Sequence, residues 1–204
     1  MKSLIVIDFQ KDFRNGTLPV PGAVEAEDAI YRYIVNNHNE IAEVIFTVDW
    51  HSPNHCSFKK NGGIWPPHCV QFSEGAGISD KLMQTCIDYN LPVKIFKKGV
   101  VDDKEEYGAF DFIQPYEFTN CDGNEDTCFT VNNCAHNSKV FVDTTDLVVC
   151  GLAGDYCVKE SLKNLMKFSG PFEIKLSVLK DGVGSIDGGK AFMEFVNEHG
   201  IEVI

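Results

Sequence analysis

EVIFTVD (residues 43–49) runs without a break into WHSPNHCSFKKNGGIWPPHC (residues 50–69), and this junction decides how the chain folds. Between two acids lie Val, Ile, Phe, Thr and Val, a β-branched and aromatic run that reads as a buried strand. Asp49 then stands at the strand's carboxyl end, with His51 two residues beyond it. Alternate residues of an extended chain point the same way, so both side chains can converge on one ion. His68, after the Trp65-Pro66-Pro67 turn, can close the set from a loop. Oxygen and imidazole ligands with room for water suit Zn²⁺, Mn²⁺ or Fe²⁺ in an open site. Asp-x-His alone is equally explained by a hydrogen-bonded loop.

Outward from this strand, apolar runs alternate with helical patterns, which predicts a parallel sheet with helices on both faces. SLIVID (3–8) is the first strand, PVKIFKKG (92–99) the third, DLVVCGL (146–152) the fourth, and FEIKLSVLKDG (172–182) the fifth. Helical spacing runs through AVEAEDAIYRYIVNNH (23–38), where Val24, Ile30 and Ile34 mark the apolar face. A short helix is expected over 79–89, and another over 155–168 with Val158, Leu162, Leu165 and Met166 on one side. GGKAFMEFVNEHG (188–200) is the last helix, before a terminal strand IEVI. There are no repeats and no linker composition, so residues 1–204 form one domain. An irregular excursion at 111–139 interrupts the scheme, rich in Asn, Asp and Cys and without helical period. Its Cys121, Cys128, Cys134 and His136 fit no common zinc spacing, and buried thiols are the plainer explanation.

The 204 residues suffice for one well-buried α/β domain. A formal net charge of −12 argues against nucleic acid or an anionic membrane as partner. No apolar run reaches the length of a membrane helix, and MKSLIVIDFQKDF meets an acid by Asp8, too early for a signal peptide. A cytoplasmic setting is expected, with the eight cysteines mostly free thiols.

Chemistry in such a sheet gathers at the carboxyl ends of the strands. Those ends carry Asp8, Asp49, Lys98 and the GLAGDYC turn that leads to Cys157: an acid, a metal ligand, a cation and a thiol. Each alone has a bland reading. Asp8 can cap a loop, Lys98 can be a solvated charge like Lys97, and an isolated cysteine is more often a small buried hydrophobe. Together they are hard to explain by packing. Cys157 at a helix start meets unpaired N–H groups that favour a thiolate. Asp8, with an apolar run behind it, is set to have a raised pKa and to accept protons.

DFQKDF, DWHSPNHCSF, WPPHC, KKG with the later YGAF, and GLAGDYCV occur here in this order. They resemble the nicotinamidase/pyrazinamidase group of the isochorismatase-like cysteine hydrolases, over residues 5 to about 158. WPPHC with DWHSPNH is the specific part; DFQ and GLAxDYC mark only the wider superfamily. The resemblance implies a three-layer α/β/α fold around a mostly parallel six-stranded sheet. It implies a triad of Asp8, Lys98 and Cys157, a divalent metal on Asp49, His51 and His68 (zinc first, with Mn²⁺, Fe²⁺ or Mg²⁺ as alternatives), and an oxyanion hole from the N–H groups of Ala153 and Cys157. Ser57 falls at the fourth ligand position, directly or through water, with His55 as its competitor. Phe13, Trp65 and Tyr107 match the substrate contacts, an aromatic box for a flat ring.

The implied activity is hydrolysis of nicotinamide to nicotinate and ammonia in NAD salvage, with pyrazinamide also accepted and self-association common in the family. A sibling amidase acting on another small amide or carbamoyl compound, or a non-catalytic metal-binding or interaction module, would be the alternatives. The chain departs from the family pattern at Gly154, usually Thr, expected to loosen the turn that presents the thiol, and in the 111–139 segment. The family's cis peptide falls between Leu152 and Ala153.

Overall fold

A computed structural model describes residues 1–111, 141, 144–169 and 173–204. The expected excursion, with Cys121, Cys128, Cys134 and His136, lies outside them apart from Asp111. The strands are β1 (Lys2–Ile7), β2 (Ile41–Asp49), β3 (Val93–Lys98), β4 (Asp146–Gly151), β5 (Lys175–Val183) and β6 (Glu202–Val203). The α-helices among the described residues are α1 (Lys11–Asn15), α2 (Ala23–Asn37), α3 (Asp80–Asp88), α4 (Lys159–Ser169), which a π-helical turn at Gly154–Val158 precedes, and α5 (Lys190–Glu198). The strands form one sheet in the order β3-β2-β1-β4-β5-β6. Every pairing is parallel, so the expected mostly parallel sheet is wholly parallel among the described residues.

Alternation along the central strands builds two cores. Leu4, Val6, Val44, Phe46, Val148 and Cys150 face one way, against Ile30 and Ile34 of α2 and Leu82 and Cys86 of α3. Ile5, Ile7, Ile45, Leu147 and Val149 face the other way, against Leu162 and Leu165 of α4 and Phe192 and Val196 of α5. The result is the three-layer sandwich. Each fully buried Ile or Leu contributes about 1.5–3 kcal/mol of transfer free energy.

Val24 departs from expectation, being 48% exposed. The buried stripe of α2 runs through Ala23, Ala26, Ile30 and Ile34, and at about 100° per residue Val24 falls off it. The five-residue α1 lies in a stretch where no helix was expected.

The chain leaves β1 toward β2 and β3 on one side and reaches β4 to β6 on the other, so the order reverses between β1 and β4. A crevice opens beyond the carboxyl ends of strands at such a reversal. Asp8 and the segment from Gly151 to Cys157 flank it, while β2 and β3 end beside it in Asp49 and Lys98.

Candidate active site

Strand register places Asp49 directly beside Lys98. Lys98 Nζ pairs with Asp49 Oδ1, lies 2.8 Å from Asp8 Oδ2, 3.2 Å from the Glu106 carbonyl oxygen and 3.6 Å from Cys157 Sγ. One ammonium thus joins three of the residues singled out at strand ends. All are buried: Asp8 0%, Asp49 4%, Lys98 6% and Cys157 6% exposed. Asp8 has φ 45°, a left-handed conformation rare outside glycine and a recurrent feature of functional sites. Thr47 holds it there: its hydroxyl donates to Asp8 Oδ1 at 2.6 Å and accepts the Asp8 N–H at 3.1 Å.

Burial sets the proton affinities. It pushes the Asp8 carboxyl above its ordinary range, against the pull of Lys98. It also raises the Cys157 thiol well above its usual value, with Lys98 opposing. Burial thus favours the neutral thiol over the thiolate that the helix start was expected to favour. Burial works against the Lys98 charge, but Asp49 and Asp8 outweigh it and keep the ammonium protonated. Asp49 stays ionised because Lys98 and His51 overcome its own desolvation.

The other oxygen of Asp49 faces two imidazoles. Its Oδ2 lies 3.5 Å from His51 Nε2 and 3.9 Å from His68 Nε2. His51 Nδ1 is 2.8 Å from the Gly99 carbonyl and His68 Nδ1 is 2.8 Å from the Pro66 carbonyl. A carbonyl only accepts, so each Nδ1 carries a hydrogen and each ring turns toward Asp49 an Nε2 that can bind an ion once that nitrogen is unprotonated. Ligand atoms of Asp49, His51 and His68 all lie within 4.8 Å of one another. His51 Nε2 and Ser57 Oγ are buried with no hydrogen-bond partner, an orphaned state that a bound cation relieves. This oxygen and imidazole donor set fits a divalent ion such as Zn²⁺.

The two candidates for the fourth place have different surroundings. His55 accepts the Ser57 N–H on Nδ1 at 3.2 Å and turns Nε2 to the Lys104 carbonyl at 3.1 Å, so both ring nitrogens are engaged. Ser57 Oγ is free and lines the cleft.

A cleft of ≈ 380 Å³ lies over this floor, with Asp49, Ser57, His68, Ala153 and Cys157 in its wall. Phe13, Trp65 and Tyr107 all line it. Trp65 Nε1 donates to Tyr107 Oη at 3.1 Å, and the Phe13 ring stands 5.3 Å from that of His68. Aromatic walls of this kind suit a flat ring.

Packing at Gly154 counters the loosening expected of the turn before Cys157. An added Cβ would lie 2.3 Å from Ser185 Oγ and 2.7 Å from Val183 Cγ1, so those side chains already occupy the place of a larger residue. Asp155 ties the turn down by accepting the N–H groups of Ile186 and Asp187 at 3.0 and 3.1 Å. The Leu152–Ala153 peptide is cis, as the resemblance implied.

Four contributors escaped the sequence reading. Tyr156 forms a further aromatic wall, 5.2 Å from Trp65 and 5.4 Å from Tyr107. Gln10 clamps the Asp49 backbone, donating to its carbonyl and accepting its N–H, both at 2.8 Å. Asp12 accepts the Cys69 N–H at 2.8 Å and anchors the loop that bears His68. Thr47 is the fourth. Gln10 and Asp12 sit within the DFQKDF motif, but their targets are backbone groups that a motif does not name.

No family model matches the chain. A curated nicotinamidase from Escherichia coli strain K12 is 28% identical over 214 residues, spanning 95% of this chain and 90% of that protein. The pyrazinamidase of Pyrococcus horikoshii, solved in complex with zinc, superposes with a TM-score of 0.72 at 29% identity, covering 100% of this chain and 98% of that one. The yeast nicotinamidase bound to the inhibitor nicotinaldehyde gives a TM-score of 0.73 at 26% identity, covering 100% and 99%.

Proposed function

We infer that this chain is a nicotinamidase of the isochorismatase-like cysteine hydrolases, converting nicotinamide to nicotinate and ammonia. The observation that carries this reading is the Lys98 ammonium, which joins Asp8, Asp49 and Cys157 on the floor of an aromatic-walled cleft. The similarity to nicotinamidases over most of the chain supports the substrate, and the pyrazinamidase neighbour supports pyrazinamide as a second one. The reading takes the chain as one hydrolase domain working in the cytoplasm in NAD salvage. Among the described residues no helix is long and apolar enough to cross a membrane.

Asp8 is the base. Its raised proton affinity matches the task of taking the thiol proton, and Lys98 stabilises the charge left on sulfur. The thiolate attacks the carboxamide carbon. The N–H groups of Ala153 and Cys157 receive the oxyanion, at about 3 kcal/mol per donor in comparable sites. Asp8 returns its proton to the departing ammonia, leaving a thioester on Cys157. Water then opens the thioester, with Asp8 again as base, and nicotinate leaves. Phe13, Trp65 and Tyr107 hold the ring flat and keep bulk water off the carbonyl. A divalent ion on Asp49, His51, His68 and Ser57, zinc before Mn²⁺, Fe²⁺ or Mg²⁺, would supply a Lewis acid for the ring nitrogen.

The test is ammonia release from nicotinamide by zinc-loaded protein, with and without iodoacetamide pretreatment. Release that disappears on alkylation supports a thiol amidase with this substrate. No release from folded, zinc-loaded protein overturns the substrate and leaves a sibling amidase.

A further inference from the structure

Lys98 has three N–H bonds and four acceptors around it. Asp8 and Asp49 take two; the third lies between the Glu106 carbonyl at 3.2 Å and Cys157 Sγ at 3.6 Å. Glu106 comes eight residues after Lys98, at the end of the segment that follows β3. Its side chain closes that segment into a ring: Glu106 Oε2 accepts the Gly99 N–H at 2.9 Å. Gly99 is buried and its own carbonyl fixes the His51 imidazole. The second carboxylate oxygen meets Lys104 Nζ at 2.5 Å, and the Lys104 carbonyl holds His55 Nε2.

One half-buried residue therefore touches both halves of the site. Its carbonyl bears on the catalytic ammonium, and its carboxylate bears on the glycine that orients a metal-binding histidine. We propose that Glu106 is a positioning residue, whose hydrogen bond to Gly99 sets Lys98 and His51 together. The bond keeps the Glu106 carbonyl against Nζ, so the third N–H has a resting acceptor until sulfur ionises and takes it. It also keeps the Gly99 carbonyl against His51 Nδ1, which leaves Nε2 free for the ion. This inference rests on the amidase reading for its catalytic half only; the metal half stands without a substrate.

Two variants test it, each compared with the parent in zinc affinity by chelator competition, in kcat and KM at saturating zinc, and in Tm. Glu106→Ala removes the acceptor, and zinc affinity should fall about ten- to a hundredfold, the range for lost outer-shell partners. At saturating zinc its kcat should still fall about tenfold with KM little changed, because Lys98 is misplaced even when the ion is held. Glu106→Gln keeps an acceptor oxygen for Gly99 and loses only the exposed Lys104 pair, whose worth is small. It should restore both quantities to within about threefold of the parent. Parent-like zinc affinity or parent-like kcat in Glu106→Ala overturns the proposal, and so does a Glu106→Gln protein as impaired as the alanine variant. If the parent itself does not release ammonia, the functional reading has failed, while the zinc measurements still judge the metal half.

Discussion

Gly99→Ala should damage the metal site through a single carbon atom. Gly99 has φ +60°, and an added Cβ would lie 2.4 Å from His51 Cε1 and 2.7 Å from Nδ1. The ring has nowhere to retreat. It is 1% exposed, tethered by Nδ1 to the Gly99 carbonyl, and packed at centroid distances of 4.0 Å from His55, 5.0 Å from His68 and 5.7 Å from Phe58. The left-handed backbone costs about 1–2 kcal/mol for alanine. Relieving the clash costs a further ~1–3 kcal/mol, as for an overpacked core. Together these should lower Tm by roughly 5–15 °C in a chain of this length. Displacing His51 Nε2 should weaken zinc binding about ten- to a hundredfold. Gly200→Ala is the matched control: φ is +62°, yet nothing lies within 4 Å of the added carbon. It should carry the backbone strain alone and leave zinc affinity untouched. The measurements are chelator competition for zinc and a thermal melt on both proteins. If Gly99→Ala binds zinc like the parent, or if Gly200→Ala loses zinc equally, the contact with His51 does not set the site.

Three other outcomes are expected. Cys157→Ala should abolish ammonia release while keeping zinc affinity, since the sulfur is not among the Asp49, His51 and His68 donors; near-normal turnover would sink the thioester mechanism. Ser57→Ala should weaken zinc binding, whereas His55→Gln should lower Tm by loss of a buried hydrogen bond, about 1–3 kcal/mol, and still bind one zinc; elemental analysis and a melt distinguish the two. Thr47→Val removes a hydrogen bond that favours ionised Asp8, so the already raised Asp8 pKa rises further. Activity needs the ionised base and is lost as pH falls through that pKa, so the acid limb of kcat/KM should move to higher pH in Thr47→Val. An unmoved acid limb would remove Asp8 from the role of base.

What the sequence discloses here follows from periodicity. A strand announces its own end, so Asp8, Asp49 and Lys98 could be placed at one edge of the sheet before any contact was known. What it withholds follows from register and from backbone targets. Nothing in PVKIFKKG says that Lys98 pairs across with Asp49, because register belongs to two strands at once. That His55 Nε2 is engaged while Ser57 Oγ stays without a partner depends on the Lys104 carbonyl, in a different loop. Gly154 was expected to weaken its turn, and the compensation comes from Val183 and Ser185, at the end of β5 and just beyond it. Asp49 shows why motif reading undercounts such a site. As a ligand in Asp-x-His it has one role, but its two oxygens face opposite ways, Oδ1 to the Lys98 ammonium and Oδ2 to the two imidazoles. Removing it would therefore strip a donor from the metal set and leave a buried ammonium short of a counter-ion, a cost well beyond that of an exposed pair. The Asp49, His51 and His68 cluster and the Asp8, Lys98 and Cys157 cluster are separate in sequence and meet in space at the Asp49 carboxylate.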